Sequence, residues 1–257
     1  MTSTLAIANQ KGGVAKTTTV ASLGAALAER GLSVLLVDLD PQACLTFSLG
    51  IDPEDLELSV HQVLTKGLDP AEAILATEDG VDLLPATIEL ARAEADLLTR
   101  TGREQVLKAV LEDLAGSGRV YDWVLLDCPP SLGVLTVAAL TAADGVLIPL
   151  QCETLSHRGV GQLLDTVHDV RRFTNRDLDV WGVLPTLYDG RTMHARRVLE
   201  TIAETYRLEV LEPPIPKTIR FAEAPAAGRS ILATSRRSKG AQAYREVAAG
   251  LAERPSS

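Results

Sequence analysis

A chain of 257 residues with 46% hydrophobic side chains is long enough to bury a full core. Its three cysteines, Cys44, Cys128 and Cys152, are widely spaced and form no Cys-x-x-Cys pair, which argues against a disulfide framework or a zinc site and leaves reduced, mostly buried thiols. The net charge of −9 argues against nucleic acid binding over the whole surface, although a local basic patch would be enough for it.

Residues 5–8, Leu-Ala-Ile-Ala, are a short apolar run ended by Asn9-Gln10 and read as a buried strand. The run is too short for the apolar core of a signal peptide, and no later run approaches the roughly 20 residues of a membrane span, so a cytoplasmic chain with no membrane partner is expected. Residues 16–30 carry Val20, Leu23, Ala26 and Leu27 at helical spacing and stop at Gly31. Residues 33–37 form a second apolar run. Strand, loop, helix and strand in so short a stretch make a βαβ unit, which implies a parallel sheet.

The alternation continues. Strands are expected at 81–85, 121–126, 145–150 and 180–185, and helices at 88–98, 103–114, 135–142, 163–173, 195–206 and 239–251. The strand runs are continuously apolar, as in sheets covered on both faces. The expectation is an α/β fold. It has a doubly wound, mostly parallel sheet with helices on both faces. Residues 1–257 would form a single domain, with a frayed, disordered tail at 254–257.

Between the first strand and helix stands Asn9-Gln10-Lys11-Gly12-Gly13-Val14-Ala15-Lys16-Thr17-Thr18. A loop in that place aims backbone N–H groups and a helix dipole at an anion. Gly12 and Gly13 supply backbone freedom, Lys16 reaches the β- and γ-phosphates, and Thr17 offers a hydroxyl to Mg²⁺. The usual pattern, G-x-x-x-x-G-K-[ST], is broken twice, by Gln10 and by Ala15. Ala15 is expected to enter the helix, where alanine is favourable, and phosphate binding to survive it. Lys11 is an additional lysine across the loop from Lys16.

With that second lysine the segment resembles the deviant Walker A motif, K-G-G-x-G-K-[ST], of the ParA/MinD family of ATPases. Ala15 departs from the pattern even there, which bears on the tightness of the dimer more than on nucleotide binding. The resemblance implies ATP and Mg²⁺ as cofactors, cradled by Gly12, Gly13, Val14, Ala15, Lys16, Thr17 and Thr18. It also implies an ATP-dependent homodimer in which Lys11 crosses to the nucleotide of the partner. Two further motifs extend it. Asp38-Leu39-Asp40-Pro41-Gln42 ends the second strand, where carboxylates face the ligand crevice. By resemblance Asp40 orients the attacking water, and Asp38 supports it or the metal shell. Val124-Leu125-Leu126-Asp127 looks like a Walker B strand, and Asp127, with Thr17 and Asp40, would hold the metal.

Residues 214–225 resemble the I-P-[RK]-x-x-[RK]-h-x-E-A-P segment of chromosomal ParA and Soj proteins. This implies that Arg220 and Lys217, with Arg191 in a separate loop, bind DNA, and that Pro216 belongs to the nucleotide site. Residues 185–189 fall where the family makes adenine contacts. Charge points the same way: between Lys217 and Arg245 there are seven Lys or Arg against one acid, Glu223. No helix-turn-helix precedes the loop, so contact with double-stranded DNA is expected to be non-specific and nucleoid-wide. Paired cysteines of an iron–sulfur carrier and the amphipathic tail of a MinD protein are not seen. The expected function is chromosome or plasmid partitioning with a ParB-type partner. Two alternatives stay open. One is a ParA-like ATPase that positions a protein cargo. The other is a nucleotide-dependent regulator of replication initiation with little hydrolysis. The second draws on Ala15 and on residues 43–44, where the family's glycine and asparagine are replaced by alanine and cysteine. Leu155-Ser156-His157-Arg158-Gly159 also departs from the acidic and apolar residues usual there.

Overall fold

The computed structural model describes residues 2–153 and 156–254. Seven strands, β1 (Ser3–Ile7), β2 (Val34–Asp38), β3 (Leu75–Ala76), β4 (Asp82–Leu84), β5 (Trp123–Asp127), β6 (Gly145–Gln151) and β7 (Asp179–Thr186), lie in the order β3-β4-β2-β5-β1-β6-β7. Every pair is parallel except the short edge pair β3/β4. The first helix, α1 (Lys16–Ala28), follows β1, and α2 (Cys44–Ser48), α3 (Val60–Lys66) and α4 (Pro70–Ala73) lie between β2 and β3. Then come α5 (Leu90–Leu98), α6 (Val106–Gly116), α7 (Val134–Ala142), α8 (Ser156–Phe173) and α9 (Met193–Tyr206). The chain closes with α10 (Arg220–Glu223), α11 (Ile231–Thr234) and α12 (Lys239–Ala252).

Period-two alternation splits the core between the two faces of the sheet. Leu5, Ile7, Leu36, Leu125 and Leu147 pack with α1 and α12. Ala6, Leu35, Val37, Leu126 and Val146 pack with α3 and with α5 to α8. Both faces are dry, which is why the strands read as unbroken apolar runs. The strand order turns back at β1, so the carboxyl ends of β1, β2 and β5 meet at one crevice.

The long elements lie where periodicity puts them, with shifts at their ends. The helix expected at 103–114 opens with a tight turn over Arg103–Gln105 and continues as α6. The one expected at 163–173 begins at Ser156. Short helices α2, α3, α4, α10 and α11, and the β3 edge, are additions. Each is too brief to show a period. Of the tail expected at 254–257, Arg254 is held by Glu209 at 2.7 Å and lies over the Trp181 ring, while residues 255–257 fall outside the described residues. Among the described residues, no helix is long and apolar enough to cross a membrane.

Gly145 opens β6 directly beneath Trp181, which stands edge-on to Trp123 at 5.9 Å. A Cβ at Gly145 would lie 2.3 Å from the Trp181 ring. Gly145→Ala should therefore cost about 1–3 kcal/mol through overpacking, read as a lower urea midpoint with an unchanged slope.

Candidate functional site

The loop after β1 is braced from two sides. Asn9 donates to the Pro149 carbonyl at 2.8 Å and accepts the Lys11 N–H at 3.0 Å. Thr186, at the end of β7, donates its hydroxyl to the Val14 carbonyl at 2.9 Å. Gly13 takes a φ of 74°. Ala15 does not enter the helix as expected: it is the N-cap of α1, with φ 65° and ψ 34°. That region costs an L-residue about 1–2 kcal/mol, because Cβ crowds the following carbonyl. Ala43, the N-cap of α2, is held the same way at φ 51°. The two alanines that break the resemblance thus sit where the backbone wants glycine.

Lys16 is buried, and its ammonium lies 3.3 Å from the Lys11 carbonyl. Burial lowers its pKa, and the charges of Asp127 and Asp40 work against that fall. The parallel register pairs Asp38 of β2 with Asp127 of β5, and both are fully buried. Asp38 accepts the Thr46 N–H at 2.9 Å, the Thr46 hydroxyl at 2.8 Å and the Asp40 N–H at 3.1 Å. Burial pushes the Asp38 carboxyl up to about 6. Asp127 is raised as well, by burial and by the neighbouring Asp38, with the Thr17 hydroxyl and the Lys16 charge acting against the rise, and neither of its oxygens has a partner within strict hydrogen-bond geometry. Asp40, half-buried at the mouth of the crevice, accepts the Gln42 N–H at 2.9 Å.

An orphaned buried carboxylate beside a threonine hydroxyl is an all-oxygen donor set of the kind Mg²⁺ takes. Thr17 and Asp127, with Asp40 near them, would hold the ion, and the remaining ligands would be phosphate and water oxygens. The ion supplies charge neutralisation for phosphoryl transfer. Lys11 is elsewhere engaged: its ammonium pairs with Glu153, at the end of β6. Beside Lys11 opens a cavity of about 530 Å³ that Asn9, Val14 and Arg158 also line. Within the departing segment at 155–159, Leu155 lies outside the described residues.

The basic residues come from two segments that the fold joins. Tyr188 bridges to Pro216, and the Lys217 N–H donates to the Tyr188 carbonyl at 3.2 Å. Arg191, Lys217 and Arg220 are all exposed on these adjoining stretches. Arg191 pairs with Asp189 through two bonds of 2.9 Å, which hold the Asp189 carboxyl down at about 2. Arg220 pairs with Glu223 at 3.0 Å. The count of seven cations against one acid overstates the patch. Arg229 meets Asp79 at 2.9 Å, and Arg245 meets Glu29. Those acids lie far away in sequence, so no local count could include them. Lys217, Arg236, Arg237 and Lys239 are exposed and make no ion pair among the described residues. Pro216 is bridged to Tyr188 in the adjoining segment. Reading the sequence missed Thr46 and Glu153, of which only Glu153, an acid just past a strand's carboxyl end, left a signal there, and it singled out the 185–189 segment without foreseeing the Thr186 bond to the loop.

A doubly wound parallel sheet, a strand–loop–helix anion cradle and a buried carboxylate at the neighbouring strand end define a P-loop ATPase that uses ATP and Mg²⁺. Residues 2–180 match the family described as AAA domain. The chain is 45% identical to the sporulation initiation inhibitor protein Soj of Bacillus subtilis, over 96% of this chain and 97% of Soj. It is 41% identical to the chromosome partitioning protein ParA of Caulobacter vibrioides, over 95% and 91%. A Mycobacterium smegmatis structure named cobyrinic acid a,c-diamide synthase, with bound ADP and magnesium, superposes with a TM-score of 0.87 at 57% identity, over 98% and 94%. The chain belongs to the ParA/MinD family of ATPases, on the ParA/Soj side.

Two outcomes follow from the geometry. Ala15→Gly should relieve the left-handed bend and gain about 1 kcal/mol, a rise of roughly 2–4 °C in Tm by calorimetry, with MgATP affinity kept. For Asp38 the folded pKa lies above the unfolded one, so its contribution to stability is complete below 3.8 and is lost as the pH climbs to about 6. In Asp38→Asn the amide oxygen can still accept from Thr46. The ligand-free variant should therefore show a flatter Tm profile between about pH 4 and pH 7 than the parent chain.

Proposed function

We propose that residues 1–257 act as one ATPase domain that closes into a homodimer on MgATP, binds double-stranded DNA without sequence preference in that state, and serves partitioning with a ParB-type partner on the nucleoid. One observation carries the reading. Thr186 grips the phosphate loop at Val14, and two residues on Tyr188 is bridged to Pro216, beside Lys217 and Arg220. The basic face is thus tied to the nucleotide loop through a single strand end. Exposed cations on an acidic chain suit phosphate-backbone contact, which needs no base reading.

In this cycle the loop amides and Lys16 hold the phosphates, and Asp40 holds the attacking water in line. Lys11 leaves Glu153 to reach the partner's nucleotide, so that closing the dimer completes each site. Turnover is slow until the protein partner acts. The M. smegmatis structure named a synthase holds ADP and magnesium, and it is the basic face of this chain that favours DNA over that named chemistry. A ParA-like ATPase that positions a protein cargo would use the same cycle, and its cargo would be the difference.

The experiment is binding to a random duplex at low and moderate salt, with MgATP or with MgADP. Tight, salt-sensitive binding with MgATP alone is expected, and equal binding with both nucleotides, or none, would sink the reading. Arg220→Glu should weaken DNA binding at least about tenfold while leaving MgATP affinity intact. Asp40→Ala should bind MgATP but lose most of its turnover, measured as phosphate release, and Lys16→Ala should lose MgATP binding itself.

A further inference from the structure

The path from Asp40 to the basic segment is short and made largely of backbone. Past Asp40 the chain bends at Ala43 into α2, then ends in Leu49 and Gly50. Thr46 fixes the inner side of α2: its hydroxyl donates to Asp38 and accepts the Ala86 N–H at 3.0 Å. At its far end Gly50, with φ 82°, lies against Gly228, with φ 64°. A Cβ on Gly228 would come 2.7 Å from the Gly50 Cα, and one on Gly50 would come 3.1 Å from the Gly228 carbonyl oxygen. At this point backbone meets backbone, with no side chain of either glycine to yield. Packed protein transmits such a shift rather than cushioning it.

Gly228 ends the turn Pro225–Ala227, which continues α10 and so leads back to Arg220. Two other fixings hold this stretch. Downstream, Arg229 pairs with Asp79 at 2.9 Å, and the Ser230 N–H donates to the same carboxylate at 2.6 Å. Upstream, Phe221 stands edge-on to Tyr244 at 5.8 Å, and the Tyr244 hydroxyl meets that of Thr19 at 3.0 Å. Thr19 lies in α1, behind the phosphate loop. The segment is therefore pinned to α12, through Tyr244 to α1, and to Asp79, while its middle rests on α2, the neighbour that also carries the Asp40 bend.

We propose that the Gly50–Gly228 contact couples the nucleotide state of the Asp40 loop to the presentation of Lys217 and Arg220. The output rests on the DNA-binding reading above; the mechanical link does not. A shift of the Asp40 loop toward a γ-phosphate carries α2 with it, Gly50 presses on Gly228, and α10 tilts between its two fixings. An ATP-bound and an ADP-bound chain then differ at Arg220, although Arg220 touches neither nucleotide.

Amide hydrogen exchange over residues 219–230 tests the link without DNA, comparing a non-hydrolysable MgATP analogue with MgADP. The parent chain should exchange this segment several-fold more slowly in one state than in the other. Gly228→Ala should erase that difference and bring the ATP-to-ADP ratio of DNA affinities toward unity, while MgATP affinity stays that of the parent. Arg229→Gln removes the Asp79 pairs without backbone strain and should shrink the difference too, which serves if Gly228→Ala folds poorly. Identical exchange with both nucleotides in the parent chain would overturn the coupling, as would full discrimination in both variants. A parent segment that switches in a chain binding no DNA would keep the coupling and remove the DNA reading. ATP-only DNA binding that survives both substitutions would do the reverse.

Discussion

Two carboxylates share a dry pocket because the sheet register gives them no choice. Asp38 and Asp127 end adjacent parallel strands at the same level, and both are wholly out of water. Left alone, such a pair is costly, since each charge raises the other's pKa on top of the cost of burial. The rest of the site can be understood as the response. Thr46 and the Asp40 amide surround Asp38 with donors, Lys16 brings a positive charge, and Asp127 keeps two oxygens unspent for a cation. The chain gives up stability at this point so that a bound MgATP can return it, a common bargain at active sites.

That pocket also organises what lies outside it. Asp38 is the anchor of α2 through Thr46, and α2 is the seat of the Asp40 bend and of Gly50. On the opposite side of the loop, Thr186 attaches β7 and, past it, the Tyr188–Pro216 bridge. Nucleotide chemistry and the basic face are therefore two ends of one hydrogen-bonded frame. The ion pair of Lys11 with Glu153 adds a choice to that frame. In the proposed dimer that ammonium would have to leave Glu153 before it could serve a partner's nucleotide, exchanging one anion for another.

Much of this was legible in the sequence, and the reason is physical. Buried parallel strands must be apolar throughout, so the runs at 33–37 and 121–126 announced themselves, and the carboxylates that follow them stood out against that background. A loop of Lys11, two glycines and Lys16 between strand and helix has few other uses. The sequence was mute where contacts are long-range. Arg229 and Arg245 looked like free cations because Asp79 and Glu29 are distant in the chain. Thr46 carried no signal until Asp38 was placed beside it. Ala15 was misread because helix propensity favours alanine, whereas the conformation at that residue is set by the loop it must close.

Ala15 and Ala43 both hold a backbone shape that their own chemistry resists. A glycine at either bend would rest there; an alanine has to be kept there by its surroundings. The resting chain is therefore a loaded spring on both sides of the phosphates, one coil ahead of Lys16 and one ahead of α2. The two methyl groups are thus a standing cost to the fold, held in place by the packing around each bend rather than by their own preference.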